Sequence, residues 1–150
     1  MHRNNDDNQS GQMTTLILRT ASTYLMPLLL LFSIFILIRG HYEPGGGFVG
    51  GLIASIALVV YGYANGLKRI KSFLQFHPGG LIPTGVTLAM LSGIAPMFLG
   101  KPFMTGLWLD QQLPIIGHVG TALFFDTGVY LVVVGTTLTI IFSIGEEIDS

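Results

Sequence analysis

Three ionisable side chains and a cluster of glycines meet in one short stretch of the sequence. Arg39, His41 and Glu43 stand at the start of it, and the segment 44–51 that follows holds a proline and five glycines. Ionisable groups can exchange protons or pair with cations, and glycines let helix backbones approach closely. Because an uncharged, apolar stretch continues from there to Leu67, we expect these groups at the mouth of a membrane helix, where they are suited to ion handling.

A second pair of ionisable residues, His118 and Asp126, lies near the start of the last apolar stretch. An acid at membrane depth is costly and is a functional-site hypothesis by default. A histidine titrates near neutral pH, so His118 could share a water-filled pocket with Asp126 and relay protons. Two alternatives stay open. Asp126 could lie at the interface or pair with a partner chain, since 127–145 is nearly long enough to span, and His118 could simply be hydrogen-bonded at a helix end.

Glu43 also has a structural interpretation. The residue before a proline is extended rather than helical, and Pro44 suits the first position of a helix. An acid just before a helix N-terminus is favoured by the helix dipole. Capping is therefore a sufficient explanation of Glu43, beside a role in an ion path.

The elements that position these residues are predicted to be membrane helices. Only 10 % of the residues are charged, and the sequence contains four stretches of 19, 23, 23 and 19 residues without a charge or a histidine. A helix needs about 20 apolar residues to cross the hydrocarbon core. A soluble bundle is the alternative, but four such stretches leave little polar surface to cover them. We predict an all-α protein with a polar, disordered segment 1–13 and a membrane domain 14–148, with spans at about 16–38, 45–67, 79–100 and 119–145.

The basic residues predict how these helices cross the membrane. One end of the predicted bundle holds five lysines and arginines and the other holds two. By the positive-inside rule, both termini then lie in the cytoplasm. The five are Arg3, Arg19, Lys68, Arg69 and Lys71, and the two are Arg39 and Lys101.

Several function classes are not supported. The chain has no cysteine and a net charge of −1, so it offers no thiolate chemistry and no sign of nucleic-acid binding. The letters of 45–50 match the dinucleotide fingerprint G-x-G-x-x-G, but that fingerprint follows a strand, whereas a membrane helix precedes it here. Without a metal-ligand motif or a catalytic constellation, we expect neither an enzyme nor a metal or cofactor site.

Small residues recur at four-residue spacing along the second predicted helix, as in Gly46 with Gly50 and Gly47 with Gly51. Lipid gives no hydrophobic drive for helix pairing, so such faces pack by close backbone approach. Contacts within the chain explain most of them. The excess of such faces favours membership in a larger membrane complex.

Two segments resemble known signatures. The run Gly40–Leu52, which contains Pro44, Gly45, Gly46, Gly47 and Phe48, resembles the signature of the B-type subunit of the multi-subunit Na⁺/H⁺ antiporters of the Mrp or Mnh type. The run Gly120–Tyr130, with Asp126, is similar to that family's second signature, and the resemblance covers about 14–148. It implies a small, multi-pass protein in the cell membrane, surrounded by lipid and by other membrane subunits, in a complex that exchanges Na⁺ for H⁺.

The resemblance implies an essential but accessory part in that complex, since proton translocation is attributed to larger subunits. The chain would support cation passage and assembly, with Na⁺ and H⁺ as transported ions and no bound cofactor. The alternative is a purely structural membrane adaptor whose acids only stabilise interfaces. Neutralising Asp126 separates the two, because it should alter cation dependence in the first case and only assembly in the second.

Overall fold

The structure of the chain, a computed structural model, describes residues 3–40, 45–73, 77–113 and 117–148, and the side chains of 12–40, 45–72, 77–107 and 120–145. Four of its helices are long and apolar enough to cross a membrane, which confirms the predicted all-α class with four membrane helices. In chain order the elements are α1 (Arg3–Arg39), α2 (Gly46–Asn65), α3 (Leu67–Phe73), α4 (Pro78–Ile94), a 3₁₀ helix (Ala95–Leu99), β1 (Trp108–Leu113), β2 (Gly117–Gly120) and α5 (Thr121–Ile148).

The long helices pack in the order α1, α2, α5 and α4, with α2 and α5 in the centre. Half of the apolar 18-residue segment of α2 is buried within the bundle, whereas 17 % of the corresponding segment of α1 is. Large apolar side chains on α1, such as Leu16 and Leu31, are 65 % and 71 % exposed. The outer faces are therefore available to lipid or to neighbouring membrane helices.

The apolar core fills the half of the bundle away from Asp126. Side chains of α2, α3 and α5 form it, and α3 folds back beneath them after Gly66, whose φ of 97° favours a glycine. Ile70 of α3 is only 1 % exposed and lies against Gly62. The buried cluster consists of Ala54, Leu58, Ile70, Val134, Leu138 and Phe142.

The observed elements differ from the sequence-based spans, most clearly at the two ends of the chain and before α5. The helix α1 begins at Arg3, inside the segment 1–13 for which we predicted disorder; no proline interrupts that segment. The helix α5 continues past residue 145 to Ile148. The connection before α5 contains an antiparallel β-hairpin, in which Gln112 pairs with His118, where the sequence indicated only a loop.

Candidate functional site

The two signature segments lie side by side in the structure. The helices α2 and α5 run parallel from the same end of the bundle, so the glycines at the start of α2 face the first turns of α5. A Cβ atom built on Gly47 would overlap the carbonyl oxygen of Asp126 and would lie 2.8 Å from its Cα. The absence of a side chain at residue 47 is what permits this backbone contact.

Asp126 lies inside the membrane segment of α5. It is the sixth residue of a helix that starts at Thr121, which places it about 7.5 Å along the helix axis. The candidate span begins at Thr121 as well, and Asp126 is half-buried within it. A carboxylate within a membrane span needs a compensating partner, proton or cation.

Other glycines of α2 form close contacts on the same face. A Cβ on Gly50 would lie 2.9 Å from the carbonyl oxygen of Ser33 in α1 and 3.4 Å from the ring of Tyr130 in α5. A Cβ on Gly51 would lie 2.9 Å from Cβ of Val133. Because these glycines have no side chains, α1 and α5 can approach each other across this part of α2.

The hydroxyl groups of Ser33 in α1 and Tyr130 in α5 meet next to these glycines. Their oxygens are 2.8 Å apart and share a hydrogen bond in which either can be the donor. The Ser33 side chain is fully buried. Neither residue was predicted from the sequence, although a signal existed: Tyr130 follows Asp126 by four residues, so the two share one face of a helix.

The remaining predicted residues fall into two groups. His41, Glu43 and Pro44 lie outside the described residues, and so does the side chain of His118, whose backbone belongs to β2. The others can be placed: Gly45 precedes α2 with a φ of 108°. Gly46 is buried against Gly40, which directly follows α1, so the helix ends on either side of residues 41–44 lie close together. Phe48 is 52 % exposed on the outside of the bundle.

At the opposite end of the bundle, hydrogen bonds of polar side chains link α1 to α2. Nε of Arg19 in α1 donates to the carbonyl oxygen of Ala64 at 3.1 Å, and the Asn65 amide donates to the Ser22 hydroxyl at 3.1 Å. Within the described part of the chain, no three histidines or acids come together as metal ligands would. The one described acid within the apolar part of the bundle is Asp126.

Four apolar helices, close glycine contacts and an acid within a span define a multi-pass integral membrane protein. Its family is shown by comparison with known proteins. The chain belongs to the family described as the domain related to the MnhB subunit of Na⁺/H⁺ antiporter, which matches residues 17–139.

Relatives match over nearly their full length. The chain is 46 % identical over 134 residues to a B-type subunit of a Na⁺/H⁺ antiporter from Bacillus subtilis, covering 88 % of this chain and 94 % of the relative. It is 36 % identical over 133 residues to the corresponding Na⁺/H⁺ antiporter subunit of Alkalihalophilus pseudofirmus, covering 87 % and 92 %.

A solved structure, the Mrp complex from Dietzia sp. DQ12-45-1b, contains a similar fold with a TM-score of 0.72 and 32 % identity. The match covers 87 % of this chain but 14 % of the matched one. The fold of this small protein therefore also occurs as a part of a much longer polypeptide inside that complex.

Proposed function

We propose that this protein is a membrane subunit of a multi-subunit Na⁺/H⁺ antiporter and that Asp126 takes part in cation passage. The observation that carries the assignment is the identity of 46 % over 134 residues with a Na⁺/H⁺ antiporter subunit that the chain covers almost end to end. The protein accordingly works as a transporter subunit in the cell membrane rather than as an enzyme, with Na⁺ and H⁺ as passing ions and no resident cofactor.

The position of Asp126 supports a role in ion handling. The contact with Gly47 is made by backbone atoms of Asp126. An apolar residue would avoid the cost of an acid in a membrane segment. Exchange of Na⁺ for H⁺ requires a group that a proton and a monovalent cation neutralise in turn, and a carboxylate is such a group.

The outer faces support a role within an assembly. The exposed apolar side chains on α1 include Leu28, Phe32 and Phe35, the last two with stacked rings 6.4 Å apart. In the Dietzia complex a similar domain lies within a longer chain. We infer that other membrane subunits cover part of these faces and lipid covers the rest.

A purely structural adaptor is the second candidate, and one observation favours it. The contact of Gly47 with Asp126 makes the signature segments part of the helix packing of the chain itself. In that case the signatures hold α2 on α5, and the acid only pairs within the assembly.

Removal of this chain tests the proposal. We expect a complex without it to lose Na⁺/H⁺ exchange in everted membrane vesicles, and an antiporter-deficient cell that carries such a complex to become sensitive to sodium and to alkali. The wild-type chain supplied from a plasmid is the control and should restore both. Full exchange in vesicles that lack the chain would show that it is not an antiporter subunit on which activity depends.

A further inference from the structure

Arg19 of α1 is held at the end of the bundle where α2 finishes. Its Nε donates to the carbonyl oxygen of Ala64 at 3.1 Å, and the Ser22 hydroxyl donates to the carbonyl oxygen of Arg19 itself at 2.9 Å. The Asn65 amide donates to both the Ser22 hydroxyl and the carbonyl oxygen of Tyr61, at 3.1 and 3.2 Å. These bonds fix the backbone of Arg19 and the Nε edge of its guanidinium on the last turn of α2.

One structural interpretation is that Arg19 only caps α2. A cation near the last carbonyl groups of a helix is favoured by the helix dipole. That contact uses one of the five N–H groups of the guanidinium. Among the residues whose side chains the structure describes, the other two nitrogens of Arg19 have no hydrogen bond or ion pair, and the residue is exposed. A cap alone therefore leaves four N–H donors and most of the charge available to a group outside the chain.

The level of Arg19 in the membrane follows from the length of α2. The candidate span Gly46–Asn65 has 20 residues, which form about 30 Å of helix and match the hydrocarbon core. Ala64 therefore lies at the edge of that core, where the phosphates of phospholipids begin. Tyr63, its neighbour in sequence, is 72 % exposed, and exposed tyrosines are typical of this interface. The guanidinium of Arg19, bonded to Ala64, thus lies at headgroup level.

The chemistry of the remaining donors favours a phosphate. The planar fork of an arginine binds phosphate through two parallel N–H···O bonds, and it is more weakly hydrated than a lysine ammonium. Lys68 and Arg69 follow in α3, within five residues of Ala64, and both are exposed. Basic residues at the membrane surface attract anionic lipids, so these two charges add to the attraction at this end of the bundle.

We propose that Arg19 binds the phosphate of an anionic phospholipid whose acyl chains lie along the exposed face of α2. Its Nε stays on Ala64, and its two terminal nitrogens donate to the phosphate oxygens. Below Tyr63 the same face of α2 carries Ile56, two helical turns deeper and 56 % exposed, which offers the acyl chains an apolar surface. The bound lipid would join α1 to α2 at this end, and this inference does not depend on ion handling by Asp126.

Lipid-dependent stability of the purified complex tests the inference. The complex is stripped of lipid in detergent, and the temperature at which it dissociates is measured as phosphatidylglycerol is added. The measured quantity is the phosphatidylglycerol concentration that gives half of the maximal rise. Each variant is compared with itself without lipid, so a lower starting temperature caused by the lost cap on α2 does not affect that concentration.

We expect Arg19→Gln to raise that concentration about fivefold to tenfold, the range of a charge-assisted hydrogen bond at an exposed position. Arg19→Lys should raise it less, because lysine keeps the charge but lacks the planar fork. Lys101→Gln removes the same charge from an exposed residue at the other end of the bundle. It is the matched control and should leave the concentration unchanged. Inorganic phosphate, which has no acyl chains, should not stabilise the wild-type complex.

Four results would overturn the inference. An unchanged phosphatidylglycerol dependence in Arg19→Gln would leave Arg19 as a cap alone, and equal shifts for Arg19→Gln and Lys101→Gln would reduce the effect to net charge. Stabilisation of the wild type by inorganic phosphate would indicate a site for a soluble anion. Failure of the Arg19→Gln complex to assemble, with wild-type lipid dependence in Arg19→Lys, would assign Arg19 to an acidic group of a neighbouring subunit. None of these measurements uses transport, so their failure is distinct from failure of the proposed function.

Discussion

The carbonyl oxygen of Asp126 occupies the place where a side chain of residue 47 would begin. A glycine in one signature segment is thereby matched to an acid in the other, although 79 positions (126 − 47) separate them in the sequence. The contact sets the distance between α2 and α5 at the depth of the acid. Any side chain at residue 47 must push the two helices apart there, since a backbone neighbour cannot move aside as a flexible side chain can.

Gly47→Leu is expected to reduce the amount of assembled complex and to lower exchange with it, because leucine needs space that the Asp126 backbone fills. Native gels of membranes that contain the variant measure assembly. Gly79→Leu is a matched control, since Gly79 in the first turn of α4 has no atom within 4 Å of its added Cβ. Normal assembly of Gly47→Leu would mean that α2 and α5 tolerate separation.

Asp126→Asn is expected to leave assembly near normal and to change the Na⁺ dependence of exchange. The amide retains the shape of the carboxylate and one acceptor oxygen, but an NH2 donor replaces the second oxygen and no charge remains for a proton or a cation to neutralise. Antiport rate against Na⁺ concentration, divided by the complex content on a native gel, is the measurement. Equal rates per complex at every Na⁺ concentration would leave Asp126 without a part in the mechanism.

The structural adaptor predicts the opposite pattern for the same variant. Loss of the charge would then release a partner, so that the complex falls apart while any intact complex keeps its normal Na⁺ dependence. The two readouts of one experiment therefore distinguish the two candidate functions.

The sequence predicted the four membrane helices, which the structure confirms, and it put forward Asp126 as a candidate ion-path residue. A helix needs about 20 apolar residues to cross the bilayer core, so four charge-free stretches of about that length predicted four spans. Asp126 stood out because it directly precedes the charge-free stretch 127–145, inside the predicted span 119–145, and an acid within a membrane span is rare. Ser33 and Tyr130 did not, because hydroxyls within a span are common and their pairing depends on how α1 and α5 meet across α2. The spacing of residues along one helix does not predict which residues of α1 and α5 come into contact.

The contact of α4 with α5 depends on a pair of glycines. A Cβ on Gly85 would lie 2.9 Å from the backbone nitrogen of Val132, and one on Gly128 would lie 2.7 Å from that of Ala89. We expect Gly85→Val to loosen α4 and to lower the temperature at which the complex dissociates. Gly80→Val is the control, since Gly80 has open space around it. A dissociation temperature equal to that of the wild type would contradict the predicted contact.

The core beneath the site depends on the short helix α3. Ile70 is 1 % exposed and packs against Gly62, so Ile70→Ala is expected to cost about 2–5 kcal/mol through lost burial and an unfilled cavity. Thermal release of this chain from the purified complex measures the effect. Ile56→Ala removes the same atoms from an α2 side chain that is 56 % exposed and should cost less. Similar losses for both variants would place α3 outside the stabilising core.

The crossing direction is a further prediction, and it rests on the five-to-two bias of lysines and arginines. The chain has no cysteine, so each single-cysteine variant reports one position. A reagent that does not cross membranes, added to intact cells, should label a cysteine at Gln111 and leave one at Lys68 or Ser150 unlabelled. All three should react after the cells are opened, which controls for buried positions. Labelling of the Ser150 variant in intact cells would place the termini outside, and the bundle end that holds Asp126 would then face the cytoplasm.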